Sequence, residues 1–424
     1  MTTPSQIQID PAPAGRPGGH PGGHPGGHPG GHPGGITGVG AVRAEGYVYD
    51  RAPMLVYWET TLACGLACRH CRATAQAERN PLELTTEEGY RLLDEVIRFG
   101  RPYPHVVFTG GDPLNRPDLH ELVRAATERG IGASLAPAAT PLLTQEVMES
   151  LRDAGIQNIS LSLDGSDAKR HDGFRMVEGT FDKTLQAAKW ARAAGLPIQV
   201  NTLVTDETLS DLPAVYELLL GMDILRWSLF MLITTGRGSD LREVTPAQSE
   251  KLNAWLFGLS KEAPFQVKTT EATHYRRHAI RDMEAAGMSF DDILKTSVGR
   301  GFGIRDGNGI VFINHDGTVN PSGFLPIPLG NVREASIVDL YRDHPVMRGL
   351  RNPEGFKGRC GACEYARICG GSRARAYAWT GDPLESDPLC PYVPSGSVAQ
   401  YGMPVDAGAA RPVAAGPAAA GIKA

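Results

Sequence analysis

Between residues 54 and 256 the sequence alternates six times between a short apolar run and a longer amphipathic one. Residues 54–61, 105–109, 131–136, 158–163, 198–204 and 224–230 read as strands. The intervening helices begin at Thr85-Thr86-Glu87-Glu88 and at residues 118, 144, 181, 209 and 245, with Leu92, Leu93, Val96 and Ile97 on one face of the first. Such alternation predicts an α/β fold of parallel strands. Reactive loops of these folds gather at the C-terminal ends of the strands. Three polar features stand at those ends: the loop of Cys64, the turn Gly110-Gly111-Asp112-Pro113, and Asp164-Gly165 after Ser160-Leu161-Ser162-Leu163.

The first is Cys64-Gly65-Leu66-Ala67-Cys68-Arg69-His70-Cys71, with three thiols that one loop can turn toward a common centre. A structural metal site closes with four protein ligands, whereas a reactive one keeps a position open. An iron–sulfur cluster takes four ligands, so three cysteines leave one iron free. A zinc knuckle with a remote fourth ligand explains the spacing alone, but not the convergence of the other two features. A second group, Cys360, Cys363, Cys369 and Cys390, supplies four thiols and predicts a closed site, for which spacing leaves both zinc and an iron–sulfur cluster open.

These account for all 7 cysteines, an odd number at metal-ligand spacings, which points to a reduced, cytoplasmic protein and not to a disulfide framework. A formal net charge of −5 offers no basic field for nucleic acid. No window reaches the ~18 apolar residues of a membrane span. Residues 1–45 form a Pro/Gly-rich tail in which His20, His24, His28 and His32 repeat every four residues; the expectation is a disordered segment, with a weak nickel, copper or zinc site as the alternative. Residues 394–424 are an Ala/Pro/Gly tail of the same kind. Beyond residue 260 the alternation stops: 266–270 is a candidate strand, 310–314 and 318–320 a hairpin across His315-Asp316-Gly317, and 337–340 opens a short helix.

Taken together, the motifs resemble those of the radical S-adenosylmethionine (SAM) superfamily. Cys64-x3-Cys68-x2-Cys71 is similar to its signature, Gly110-Gly111-Asp112-Pro113 to its glycine-rich motif, and the Ser162 to Asp164 segment to the strand that holds the ribose. The resemblance implies a partial (β/α)6 barrel of parallel strands over residues 50–260, with a small C-terminal cysteine-rich SPASM/twitch-like domain over 261–393. It implies a SAM-binding 4Fe–4S cluster on Cys64, Cys68 and Cys71, whose free iron takes the cofactor's amino and carboxylate groups. One electron then cleaves SAM to a 5′-deoxyadenosyl radical that abstracts hydrogen. Gly110, Gly111, Asp112, Pro113, Ser162, Asp164 and Arg175 are the expected cofactor-binding residues, the glycines because a Cβ would keep backbone from the ligand. Cys360, Cys363, Cys369 and Cys390 match the ligands of a second, auxiliary 4Fe–4S cluster. Three further cysteines of a full SPASM domain are replaced by Ser322, Ala335 and Arg373, which implies one auxiliary cluster and not two.

The segments Pro321-Ser322-Gly323-Phe324-Leu325-Pro326, Gly330-Asn331-Val332-Arg333 and Gly370-Gly371-Ser372-Arg373-Ala374-Arg375 resemble the tetrapyrrole branch, including haem d1 and alternative-haem-pathway enzymes. The implied substrate is a porphyrin propionate, with Arg276, Arg277, Arg373 and Arg375 as its expected partners and a solvated basic patch as the plain alternative. An electron donor such as a ferredoxin or flavodoxin is implied as well. Two other functions compete. A ribosomal-peptide maturase making thioether or carbon–carbon crosslinks often carries an N-terminal recognition domain, and only 63 residues precede Cys64. A metal storage or delivery protein would use the histidine repeat.

Overall fold

A computed structural model of the chain describes residues 48–394. The histidine repeat and both expected tails lie outside the described residues, save for residue 394 itself.

The sequence builds ten strands: β1 (Leu55–Glu59), β2 (His105–Thr109), β3 (Ala133–Leu135), β4 (Ile156–Ser162), β5 (Ile198–Val204), β6 (Arg226–Met231), β7 (Gln266–Thr270), β8 (Ile310–Ile313), β9 (Thr318–Asn320) and β10 (Gly330–Asn331). They join one sheet in the order β10-β9-β8-β1-β2-β3-β4-β5-β6-β7. The six expected strands run parallel, as their crossover helices require. A parallel strand extends each edge: β7 beside β6, and β8 beside β1 with Leu55 opposite Ile310. Segments on both sides of residue 260 therefore share the sheet, and only β8–β9–β10 is antiparallel.

Alternate residues divide the strands between two faces. Val56, Trp58, Val106, Phe108, Ile159, Leu161, Val200, Trp227 and Leu229 lie on one face within the principal core. Burying each such side chain contributes about 1.5–3 kcal/mol. The other face is polar: His105 contacts Ser134, Gln199 Nε2 donates to Asn201 at 2.8 Å, and Arg226 Nη1 donates to Gln199 at 3.0 Å. Tyr57 on β1 feels the charge of Arg226 on β6, five strands away. Laid flat, those strands would stand about 24 Å apart at ~4.8 Å per step. The sheet must curl, polar face inward, and it stays open because its end strands β7 and β10 do not pair with each other.

The helices start where the caps dictate. Thr85 and Glu88 close a capping box ahead of Thr86–Ile97, and Thr144 caps Gln145–Ala154. Unforeseen helices occupy Ala168–Arg175, Tyr275–Ala285, Phe290–Lys295, Pro345–Arg351 and Arg373–Thr380. The first lacks a strong apolar periodicity, with only His171 and Phe174 buried, whereas Tyr275–Ala285 does bury Tyr275, Ala279, Ile280 and Met283.

Candidate active site

The cysteine loop leaves β1 at its C-terminal end and is pinned before its first thiol. Gln76 accepts from the Cys64 amide at 2.8 Å and donates its own amide to Leu62 at 3.0 Å. The turn after β2 packs beneath, with Gly111 and Asp112 amides donating to the carbonyls of Thr61 (2.8 Å) and Ala63 (2.7 Å). A Cβ on Gly110 would stand 2.5 Å from the Thr61 carbonyl oxygen, and one on Gly111 2.5 Å from those of Leu62 and Ala63. The close approach that these glycines permit in the structure is to the cysteine loop itself. Asp112 is fully buried and accepts from Thr140 Oγ1 at 2.7 Å and from the amides of Leu114 and Ala138. Its carboxylate holds the turn together, and Pro113 follows as the first residue of a short 3-10 helix.

From the other side, the loop rests on Ala168–Arg175. The Arg69 amide donates to the Phe174 carbonyl at 3.0 Å, and the rings of His70 and Phe174 lie 5.4 Å apart. Arg175 Nη1 reaches the Cys68 sulfur at 3.6 Å, and Nη2 pairs with the buried Asp164. Burial would raise Asp164, but Arg175, then His70 and His171, outweigh it and hold the carboxyl below its usual range. Asp164 Oδ1 accepts from the Leu203 amide at 2.8 Å, while Ser162 stands half-buried one strand from Asn201.

A third support comes from the segment after β6. Arg237 donates from Nε to the Cys68 carbonyl (2.8 Å) and from its amide to the Cys71 carbonyl (3.0 Å). Gly236, at φ +53, passes so close that a Cβ would lie 2.5 Å from the Arg72 carbonyl. Sequence reasoning missed Gly236 and Arg237; a Gly-Arg-Gly run after the sixth strand was the available signal.

The three sulfurs lie within range of one another. Burial first, then the charges of Asp112, Cys68 and Cys71, push the Cys64 thiol up to about 11, against a hydrogen bond from Leu66 that pulls it down. In the loop and against it, His70 Nδ1 and Arg237 Nη2 are buried with no hydrogen-bond partner among the described residues. Burial, then Arg175 and Arg237, bring His70 down to about 4, so its imidazole is neutral at pH 7.

The second cysteine group is equally well assembled. Cys360, Cys363, Cys369 and Cys390 line one pocket. Cys360 receives hydrogen bonds from Arg373 Nη2 and the Asp387 amide, both at 3.4 Å, and Cys369 one from the Gly371 amide at 3.5 Å. Among the described residues, no three His, Cys, Asp or Glu side chains converge tightly enough for a single metal ion.

Residues 58–219 match the model of the Radical SAM superfamily. Over 343 residues the chain is 39% identical to an AdoMet-dependent heme synthase of Methanosarcina barkeri, a match spanning 81% of this chain and 97% of that protein. The chain belongs to the radical SAM superfamily. A second relative from the same organism, an Fe-coproporphyrin III synthase, is 30% identical over 80% of this chain and 88% of its own length. Streptococcus suis SuiB, solved with its precursor peptide SuiA, superposes with a TM-score of 0.62 at 19% identity over 81% of this chain and 76% of SuiB, which establishes a shared fold.

As a radical SAM enzyme the protein uses a 4Fe–4S cluster and S-adenosylmethionine. Their demands fit what the loop and its supports offer: three thiols, and unpartnered polar atoms on His70 and on Arg237, which holds the Cys68 carbonyl. The arginines expected at a substrate's carboxylates are mostly engaged elsewhere. Arg373 and Arg375 are fully buried; Arg375 donates to the carbonyls of Glu271 (2.8 Å) and Leu232 (3.1 Å), and Arg277 pairs with Glu250 at 2.6 Å. The basic run in the sequence does not reveal this, because Arg277 and Arg375 find partners on distant segments and Arg373 turns to backbone carbonyls.

The radical SAM enzyme also holds a carboxyl pair that the sequence does not advertise. Glu271 follows β7 at φ +58, accepts from Ser372 Oγ, and hydrogen-bonds with Asp306, which in turn accepts from Ser322 and the Ala374 amide. Burial, then Asp306, raise Glu271 well above the carboxylate range, against the pull of Ser372 and Arg375. A raised folded-state value means that the associated stability is complete in acid and is lost as pH rises through that value. Glu271→Gln keeps both hydrogen bonds, so denaturant midpoints of the wild type should fall more steeply than those of Glu271→Gln as pH rises above 4.5, the ordinary glutamate value. Parallel curves would refute the protonated pair.

Proposed function

We propose that this enzyme modifies a tetrapyrrole side chain, in a reaction of the propionate-decarboxylating type. The observation that carries this is the 39% identity to an AdoMet-dependent heme synthase over nearly that protein's whole length. The fold does not choose between porphyrin and peptide, since SuiB shares it while bound to a peptide.

In this proposal Cys64, Cys68 and Cys71 hold the SAM-binding cluster, and Gly110, Gly111, Asp112 and Pro113 hold the loop. Ser162, Asp164 and Arg175 meet the bound SAM from β4 and the helix after it, with His70 and Arg237 added on the strength of their unpartnered atoms. When bound, the cluster and SAM supply a 5′-deoxyadenosyl radical for hydrogen abstraction. The protein's part is to orient the partners and exclude water around them. His70 stays neutral in this role, and the Asp164–Arg175 pair stays ionised because each compensates the other's burial.

The second cysteine group is proposed to hold an auxiliary 4Fe–4S cluster in the 261–393 part of the chain. Four thiolates on one tetrahedral zinc at ~2.3 Å would stand only about 3.8 Å apart. A cubane spreads its thiolates over four irons, and the resemblance of this cysteine group to the auxiliary-cluster ligands of radical SAM enzymes supports that reading. Ser322 donates to Asp306 in the interior, which supports one auxiliary cluster only. All seven cysteines are free, which suits the reducing cytoplasm where a ferredoxin or flavodoxin could supply the electron. Among the described residues no helix is long and apolar enough to cross a membrane.

The test is anaerobic incubation of cluster-loaded enzyme with dithionite, SAM and Fe-coproporphyrin III, followed by mass spectrometry. Two successive losses of carboxyl mass are expected. Release of 5′-deoxyadenosine with an unchanged porphyrin would discard this substrate and keep the radical chemistry.

A further inference from the structure

The second cysteine pocket is surrounded by more positive charge than its carboxylates answer. Arg373 is fully buried, and its guanidinium bonds to the carbonyls of Pro383 (3.0 Å) and Glu385 (2.7 Å) and to the Cys360 sulfur (3.4 Å), with no carboxylate among these partners. It stacks 4.6 Å from the Phe356 ring, which fixes its plane. Arg277 is 2% exposed, lines the pocket, and lies 4.9 Å over Tyr392. Glu250 answers one end of it, but Nε is buried without a hydrogen-bond partner. Arg359 also lines the pocket, and its Nη1 is likewise buried and unpartnered. A desolvated cation left without an anion is costly. One such cation, Arg373, with the unpartnered Nε of Arg277 and Nη1 of Arg359 beside it around four thiols, marks a place for a strongly negative group.

We propose that Arg373, Arg277 and Arg359 form a cationic collar that raises the reduction potential of the group held by Cys360, Cys363, Cys369 and Cys390. This rests on the auxiliary-cluster proposal above. A 4Fe–4S core on four thiolates carries a net charge of about −2 oxidised and about −3 reduced, and its potential follows net charge, hydrogen bonds to sulfur and exposure. Each guanidinium stabilises the more negative state more, and an N–H···S bond withdraws charge from the thiolate, acting in the same direction. Arg373 should matter most, because it alone bonds a sulfur directly. Arg277 is already partly neutralised by Glu250. The collar is a tuning device and touches no reacting atom.

The experiment uses the full chain carrying Cys64→Ala, Cys68→Ala and Cys71→Ala, reconstituted anaerobically with iron and sulfide so that only the second group can load. Retention of about four irons per chain is expected from cluster stoichiometry. Midpoints are then read by redox titration monitored by electron paramagnetic resonance. Adding Arg373→Gln should change the oxidised-to-reduced ratio at fixed potential by at least tenfold, a fall of about 59 mV for one electron. Arg373→Lys, which keeps charge, should fall less. Arg359→Gln disturbs no hydrogen bond of Nη1, so it serves if Arg373→Gln does not fold or load, and it too should lower the midpoint. Loaded variants whose midpoints equal that of the triple-alanine chain would overturn the collar. A triple-alanine chain that takes up zinc, or no iron, would overturn the auxiliary cluster itself.

Discussion

Enzyme carrying Cys68→Ala is expected to release no measurable 5′-deoxyadenosine from SAM under dithionite, a loss of at least about 100-fold. Three thiols leave one iron open, and two would leave the cluster short of a protein ligand as well as of a closed shell. Cys68 is the most telling of the three. It is buried, its carbonyl is held by Arg237 at 2.8 Å, and its sulfur lies 3.6 Å from Arg175. The fold should survive, because its core lies on the opposite face of the sheet, under the helices. An unchanged circular dichroism spectrum with lost turnover is the expected pair of results. Normal 5′-deoxyadenosine release from the variant would remove Cys68 from the cluster.

The second large effect concerns stability. Arg175→Leu strips the buried Asp164 of its principal compensating charge, leaving it with the Leu203 amide and two neutral histidines. An uncompensated buried charge costs about 3–5 kcal/mol. Guanidinium unfolding of metal-free enzyme should show a loss of that order. Adding Asp164→Asn should recover most of it, since the neutral amide can keep the bond from Leu203 without carrying charge. If the double variant were as unstable as Arg175→Leu alone, contacts of Arg175 with the cysteine loop would be responsible and not the ion pair.

Much of the barrel is legible in the chain itself. β2 and β5 fall at the residues the apolar runs indicate, because short, mostly apolar runs bounded by turns mark buried strands. The loops at strand ends are legible too: Thr85 and Thr144 cap their helices through side chains a few residues away. The helix Ala168–Arg175 is less so, since it buries only His171 and Phe174 and exists largely to carry Phe174 and Arg175 to the cysteine loop.

By itself the sequence therefore determined the parallel order of six strands, the three thiols at the end of the first, and the four that close a second group. Those depend on local periodicity and on spacing along the chain. Only the tertiary structure decided that β8 pairs with β1 some 250 residues earlier, that Gly236 and Arg237 clamp the cysteine loop, and that Arg373 serves a sulfur and not a substrate. It also decided that burial and the nearby Asp306 push the Glu271 carboxyl up. A charge's partner and the dielectric around it are set by what the folded chain brings together from afar.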